Sequence, residues 1–131
     1  MRWLKIPLFF LLISVFASAC STPTPAPTPT PTLDPAVQRG LDLFGGKGRC
    51  ATCHSLTPDF VIVGPSLAGI ATRAETRIPG WSARDYIEDS ILSPNNYRVE
   101  GFDAAQMDVT IGKQLTVDEL NDLLAYLLTL K

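Results

Sequence analysis

Apolar residues recur at helical spacing in three stretches of the chain. In the first, Val37, Leu41 and Phe44 fall on one face. Asp34 stands at the N-cap, Pro35 takes the first helical position, and Gly45-Gly46 marks the end. In the second, Ser82-Ala83-Arg84-Asp85 opens a capped helix that turns Tyr86, Ile87 and Ile91 inward. It should stop at Ser93, because Pro94 disfavours α geometry in the residue before it. The third has the strongest signal. Thr116-Val117-Asp118-Glu119 is a capping box, followed by Leu120, Leu123, Leu124, Leu127 and Leu128 on one stripe. A brief helical turn is expected over Ser66–Ala71. The longest β-branched run, Val61-Ile62-Val63, ends at Gly64-Pro65 and is too short to anchor a sheet. The pattern predicts an all-α fold.

The N-terminal quarter follows a different pattern. Arg2 and Lys5 precede an apolar run from Ile6 to Phe16, and Ala17-Ser18-Ala19 are small residues of the kind that precede signal cleavage. The run is shorter than the roughly 20 residues that span a bilayer, so residues 1–19 read as an export signal. Cys20, directly after them, resembles the lipid-attachment cysteine of the bacterial lipobox, although Ala17 stands where leucine is commoner. The alternatives are an uncleaved anchor or ordinary soluble export. Ser21–Pro35 alternates proline with threonine or alanine and offers no apolar face to bury. As polyproline II at ~3.1 Å per residue, this stretch would reach about 45 Å. Residues 20–35 therefore read as attachment point and linker, and 36–131 as one small domain.

Charge adds little. Removing Arg2 and Lys5 with the signal takes the formal net charge from −2 to −4. No basic stripe points to nucleic acid. Lys47 and Arg49 lie on one side of the domain's sequence, while acids gather at Asp85, Glu88 and Asp89 and at Asp118, Glu119 and Asp122. These clusters read as solvated helix faces or, alternatively, as a dipolar surface that steers docking.

The candidate chemistry is concentrated in Cys50-Ala51-Thr52-Cys53-His54. Two cysteines three apart with histidine directly after the second form the pattern for covalent c-type haem attachment. Each thiol adds to one porphyrin vinyl group, and one helical turn spans the two vinyls. His54, the only histidine in the chain, is then aimed at the iron. Three other readings exist. A thioredoxin-type pair belongs beside a βαβ pattern, which this chain lacks. A structural zinc site needs four ligands, and no second ligand pair is present. A disulfide would close a very small, easily strained loop. The cysteine count favours haem: with Cys20 on lipid and Cys50 and Cys53 on the ring, none of the three remains free.

With these residues on the page, the chain resembles the class I cytochromes c over nearly all of Pro35–Lys131. The resemblance implies a cytochrome c fold, three to four helices wrapped around one covalently bound haem. It implies first and last helices crossing at near right angles, with Gly40 and Phe44 meeting Leu123 and Tyr126. Gly64–Arg73 resembles the segment on the histidine side of the haem, with Pro65 placed so that a nearby carbonyl accepts from the ligand histidine. The resemblance also places Arg73 near a haem propionate, and Trp81 at a second propionate contact, one residue out of register. Met107 is the only methionine left once the signal is removed. It lies after the loop Asn95–Gln106 and before the last helix, where the family supplies its axial sulfur. Asp108 replaces the proline that usually follows, so the loop is expected to be less rigid and to yield before the helices.

The resemblance implies single-electron transfer between redox partner proteins at the extracytoplasmic face of a bacterial membrane, with no catalytic residues of its own. Two other roles are compatible with it. One is a haem-containing subunit of a larger oxidoreductase complex. The other is a small-ligand sensor or peroxidase, if Met107 binds iron weakly.

Overall fold

The structure, a computed structural model, describes residues 32–131. Cys20, the signal and most of the Pro/Thr-rich run lie outside the described residues. Five α-helices and one 3-10 turn make up the described part, with no strand among them. The helices are α1 (Pro35–Gly45), α2 (Ile70–Ala74), α3 (Ala83–Leu92), α4 (Ile111–Gln114) and α5 (Val117–Leu127), and the 3-10 turn is Cys50–Thr52. Two of the five are a single turn or little more, so the expected three or four helices become three long and two short.

The long helices begin where their capping residues stand. Asp34 accepts from the Ala36 amide at 2.8 Å, with Pro35 behind it in the first turn. Ser82 and Asp85 form a reciprocal capping box at α3, as do Thr116 and Glu119 at α5. Each box gives two N–H groups an acceptor that the helix itself lacks. Helix α3 ends at Leu92, and Ser93 has left helical geometry ahead of Pro94.

The most extensive helix pair is α1 with α5. Gly40 permits it: a Cβ there would lie 2.6 Å from the Tyr126 Cβ and would collide with the Asp122 carbonyl. Phe44 and Tyr126 then meet with ring centroids 5.6 Å apart, tilted by 58°. Leu123 and Leu124 are fully buried behind them. Leu41, expected on the inner face, is more than one-third exposed. The pairing centres on Gly40 and Phe44, which rotates Leu41 toward the rim. Two ion pairs stitch the edges. Arg39 grips Asp122 through two hydrogen bonds of 2.6 and 2.8 Å, and Lys47 reaches Glu119 at 2.7 Å. The acidic cluster on α5 is thus partly consumed by cations of α1 and its exit loop.

Helix α2 begins later than Ser66. The Ser66 hydroxyl accepts from the Ala68 amide at 3.1 Å and donates to the Thr57 carbonyl at 2.7 Å, which holds the chain in a loop. Gly69, at φ +66°, makes the left-handed step into the helix. The Ala71 amide then bonds the Leu130 carbonyl at 2.9 Å, tying α2 to the C-terminal tail. Phe60 to Val63 form no strand. All four lie exposed on the loop between the 3-10 turn and Gly64.

Candidate haem site

The left-handed residue Arg49, at φ +52°, throws the chain from α1's exit loop into the 3-10 turn. Cys53 and His54 both donate their amides to the Cys50 carbonyl, at 3.1 and 2.9 Å. This one-turn coil brings both thiols and the imidazole onto the wall of a single cavity of about 260 Å³. Neither cysteine forms a disulfide. Burial pushes the Cys50 thiol up to about 11.

His54 is held from two sides. Its Nδ1 lies 2.8 Å from the Pro65 carbonyl, which can only accept, so the proton is on Nδ1 and the Nε2 lone pair is left for a metal. Gly64 packs flat against the ring. A Cβ at that position would sit 2.5 Å from Cε1 and 2.9 Å from Nδ1. The Val63 and Gly64 amides both bond the Cys53 carbonyl, at 3.1 and 2.9 Å, so the segment carrying Pro65 is locked to the attachment turn.

Met107 lines the same cavity, half-buried, on the irregular segment ahead of α4. Ile87 and Ile91 of α3, Ile70 of α2 and Leu127 of α5 supply buried apolar wall. Tyr97 also lines it and meets Tyr86 edge-on, with centroids 5.5 Å apart. Arg49, Arg73, Arg77 and Arg98 are the cations along the lining. Such walls suit a large planar apolar ring with anionic substituents. The donor set suits its iron: one imidazole nitrogen presented bare, one thioether and two thiols placed for thioether bonds. The residues fit a covalently bound haem. Residues 37–131 match the family described as Cytochrome c.

The chain belongs to the cytochrome c family.

Comparison with curated proteins finds no match. Haem c is therefore this cytochrome's cofactor, and haem-based electron transfer its general activity. When bound, the haem supplies a one-electron couple, and the chain's residues bind, orient and shield it.

Of the residues singled out in the sequence, Cys50, Cys53, His54, Pro65, Arg73 and Met107 all line the cavity. The Arg73 guanidinium donates to two carbonyls ahead of α2, Ala68 and Ser66, the latter at 2.7 Å, so part of it secures the loop. Trp81 stands apart from these residues. It does not line the cavity, and its side chain is exposed in the turn before α3, where its amide bonds the Ile78 carbonyl at 3.1 Å. The Ser82 cap fixes where that turn ends, and it leaves the indole outside.

Sequence reasoning passed over Gly64 as a packing partner of His54, and over the role of Asp108. The Asp108 carboxylate accepts from the Thr110 amide at 2.8 Å and from its hydroxyl at 2.7 Å. These bonds, helped by the charge of Arg49, hold its carboxyl below the usual carboxylate range. A side chain thus braces the segment that directly follows Met107. The signal was available as Asp-x-Thr, a spacing that forms a local turn.

Proposed function

We propose that this cytochrome is a membrane-tethered carrier that passes single electrons between respiratory or photosynthetic complexes outside the cytoplasmic membrane. The observation that carries the reading is His54, oriented by Pro65 and Gly64 on one cavity with Met107. A histidine–methionine pair raises the potential of a haem relative to more basic ligand sets, which suits a carrier in an oxidising compartment. The carrier role is supported by the chain's single histidine already serving as a ligand, which leaves no imidazole to act as an acid or base. The export signal, Cys20 and the Pro/Thr-rich run support a lipid anchor with a semi-rigid spacer. One acyl chain anchors only marginally, so stable attachment requires the several chains of a bacterial lipoprotein.

One fractionation tests both parts. Membrane and soluble fractions are run on a denaturing gel and stained for haem, for the wild type, Cys53→Ala and Cys20→Ala. Wild type should stain in the membrane fraction and Cys20→Ala should move to the soluble one. Cys53→Ala should lose its stain or fail to accumulate. Equal partition of wild type and Cys20→Ala would overturn the tether, and an unstained wild type would overturn the carrier.

A further inference from the structure

Met107 presents a particular problem of placement. Its side chain has three rotatable bonds and a soft, weakly binding sulfur, and it is carried on irregular backbone rather than on a helix. Nothing in the side chain itself fixes where the sulfur goes. The backbone on either side has to do so.

Upstream, Arg98 staples the loop by donating to the Asp103 carbonyl at 2.7 Å and to the Asn95 side chain at 3.1 Å. Downstream, the chain of fixed geometry is shorter and firmer. The Asp108 carboxylate takes both donors of Thr110, at 2.8 and 2.7 Å, and the Asp108 carbonyl accepts from the Ile111 amide at 3.3 Å. Residue 108 is thereby joined to the first residue of α4. Helix α4 is in turn pressed against the end of α3. A Cβ at Gly112 would lie 2.7 Å from the Ile91 carbonyl oxygen and 3.1 Å from the Leu92 Cα. Helix α3 is anchored in the core by Tyr86, Ile87 and Ile91. Every link from that core to the residue after Met107 is a close contact or a hydrogen bond.

We propose that Asp108 is a positioning residue for Met107, its carboxylate fixing the backbone from which the thioether reaches the iron. It achieves with two hydrogen bonds what a proline achieves with a locked φ. The proposal rests on Met107 being the sixth ligand. The acceptor geometry at Oδ1 matters rather than the charge, so asparagine, which keeps that oxygen, substitutes for aspartate.

The test uses the holoprotein and four variants: Asp108→Ala, Asp108→Asn, Thr110→Val and Met107→Ala. Four quantities are read: the weak sulfur-to-iron absorption band, the reduction potential, carbon monoxide binding by the reduced form, and far-ultraviolet helicity through a denaturant titration. Met107→Ala should lose the band outright, with a lower potential and ready carbon monoxide binding. Asp108→Ala should keep wild-type helicity while the sulfur-off fraction rises about tenfold, the scale set by losing such bonds. Its band should vanish before the helices melt. Thr110→Val should shift in the same direction by less, because the amide donor remains. Asp108→Asn should behave as wild type. An Asp108→Ala protein with wild-type band, potential and carbon monoxide binding overturns the proposal alone. So does Asp108→Asn behaving like alanine. A band retained in Met107→Ala overturns the ligand assignment, and the proposal with it.

Discussion

At the scale of single residues, the site depends on a contact no local pattern displays. Gly64 lies ten positions from His54 in the chain, yet the imidazole rests on its Cα. Gly64→Ala should push the ring off its bond to Pro65, alter the haem absorption spectrum and lower stability by about 1–3 kcal/mol, the usual penalty of overpacking. Denaturant midpoints and spectra of the holoprotein would check this, and an unchanged spectrum would mean the ring has room to spare. Cys50, Cys53 and His54 were legible because adjacent residues on one turn share a surface whatever the rest of the chain does. Trp81 is less legible for the opposite reason. Its position depends on how a turn runs into α3, and one residue of register decides whether an indole faces the cavity or solvent.

At the scale of elements, the capped helices were legible nearly to the residue, because a cap is a local hydrogen-bond requirement. Thr116→Ala should cost about 1 kcal/mol of stability, typical for loss of an N-cap, measured by chemical denaturation. Glu119 serves this cap and also holds Lys47 of the loop that follows α1. The hydrogen bond from Lys47, then that from the Thr116 amide, hold its carboxyl below the ordinary glutamate range. Because the folded value is depressed, its contribution is fully present above the unfolded value and fades as pH falls through the folded one. Glu119→Gln should accordingly lower stability near neutrality and flatten the acid limb of a stability–pH profile. A parallel acid limb in the variant would show that Glu119 does not contribute there. The short α4 escaped notice because four residues carry no periodicity. It exists through its packing at Gly112 and its entry turn at Asp108.

At the scale of the molecule, the same apolar residues serve the core and the cavity. Ile70, Tyr86, Ile87, Ile91 and Leu127 belong to the buried cluster and also face the haem site. A domain this small buries a modest core, and leaving that wall to water would remove much of its hydrophobic stabilisation. A Cys50→Ser/Cys53→Ser chain prepared without haem should therefore melt earlier and less cooperatively than the holoprotein, as followed by circular dichroism. Equal cooperativity would mean that α1, α3 and α5 fold without help from the ring.

The sequence by itself determined the attachment turn and the three long helices with their caps, while the glycine that lets α1 meet α5 came from the family resemblance. Each of these is a matter of neighbours along the chain or of one periodic face. Tertiary structure decided which side chains enclose the haem site. It set Gly64 beneath His54, sent Trp81 outward, and joined Glu119 and Asp122 to cations of another segment. These outcomes depend on where separate segments come to lie against one another, and a one-dimensional pattern carries no distances between them.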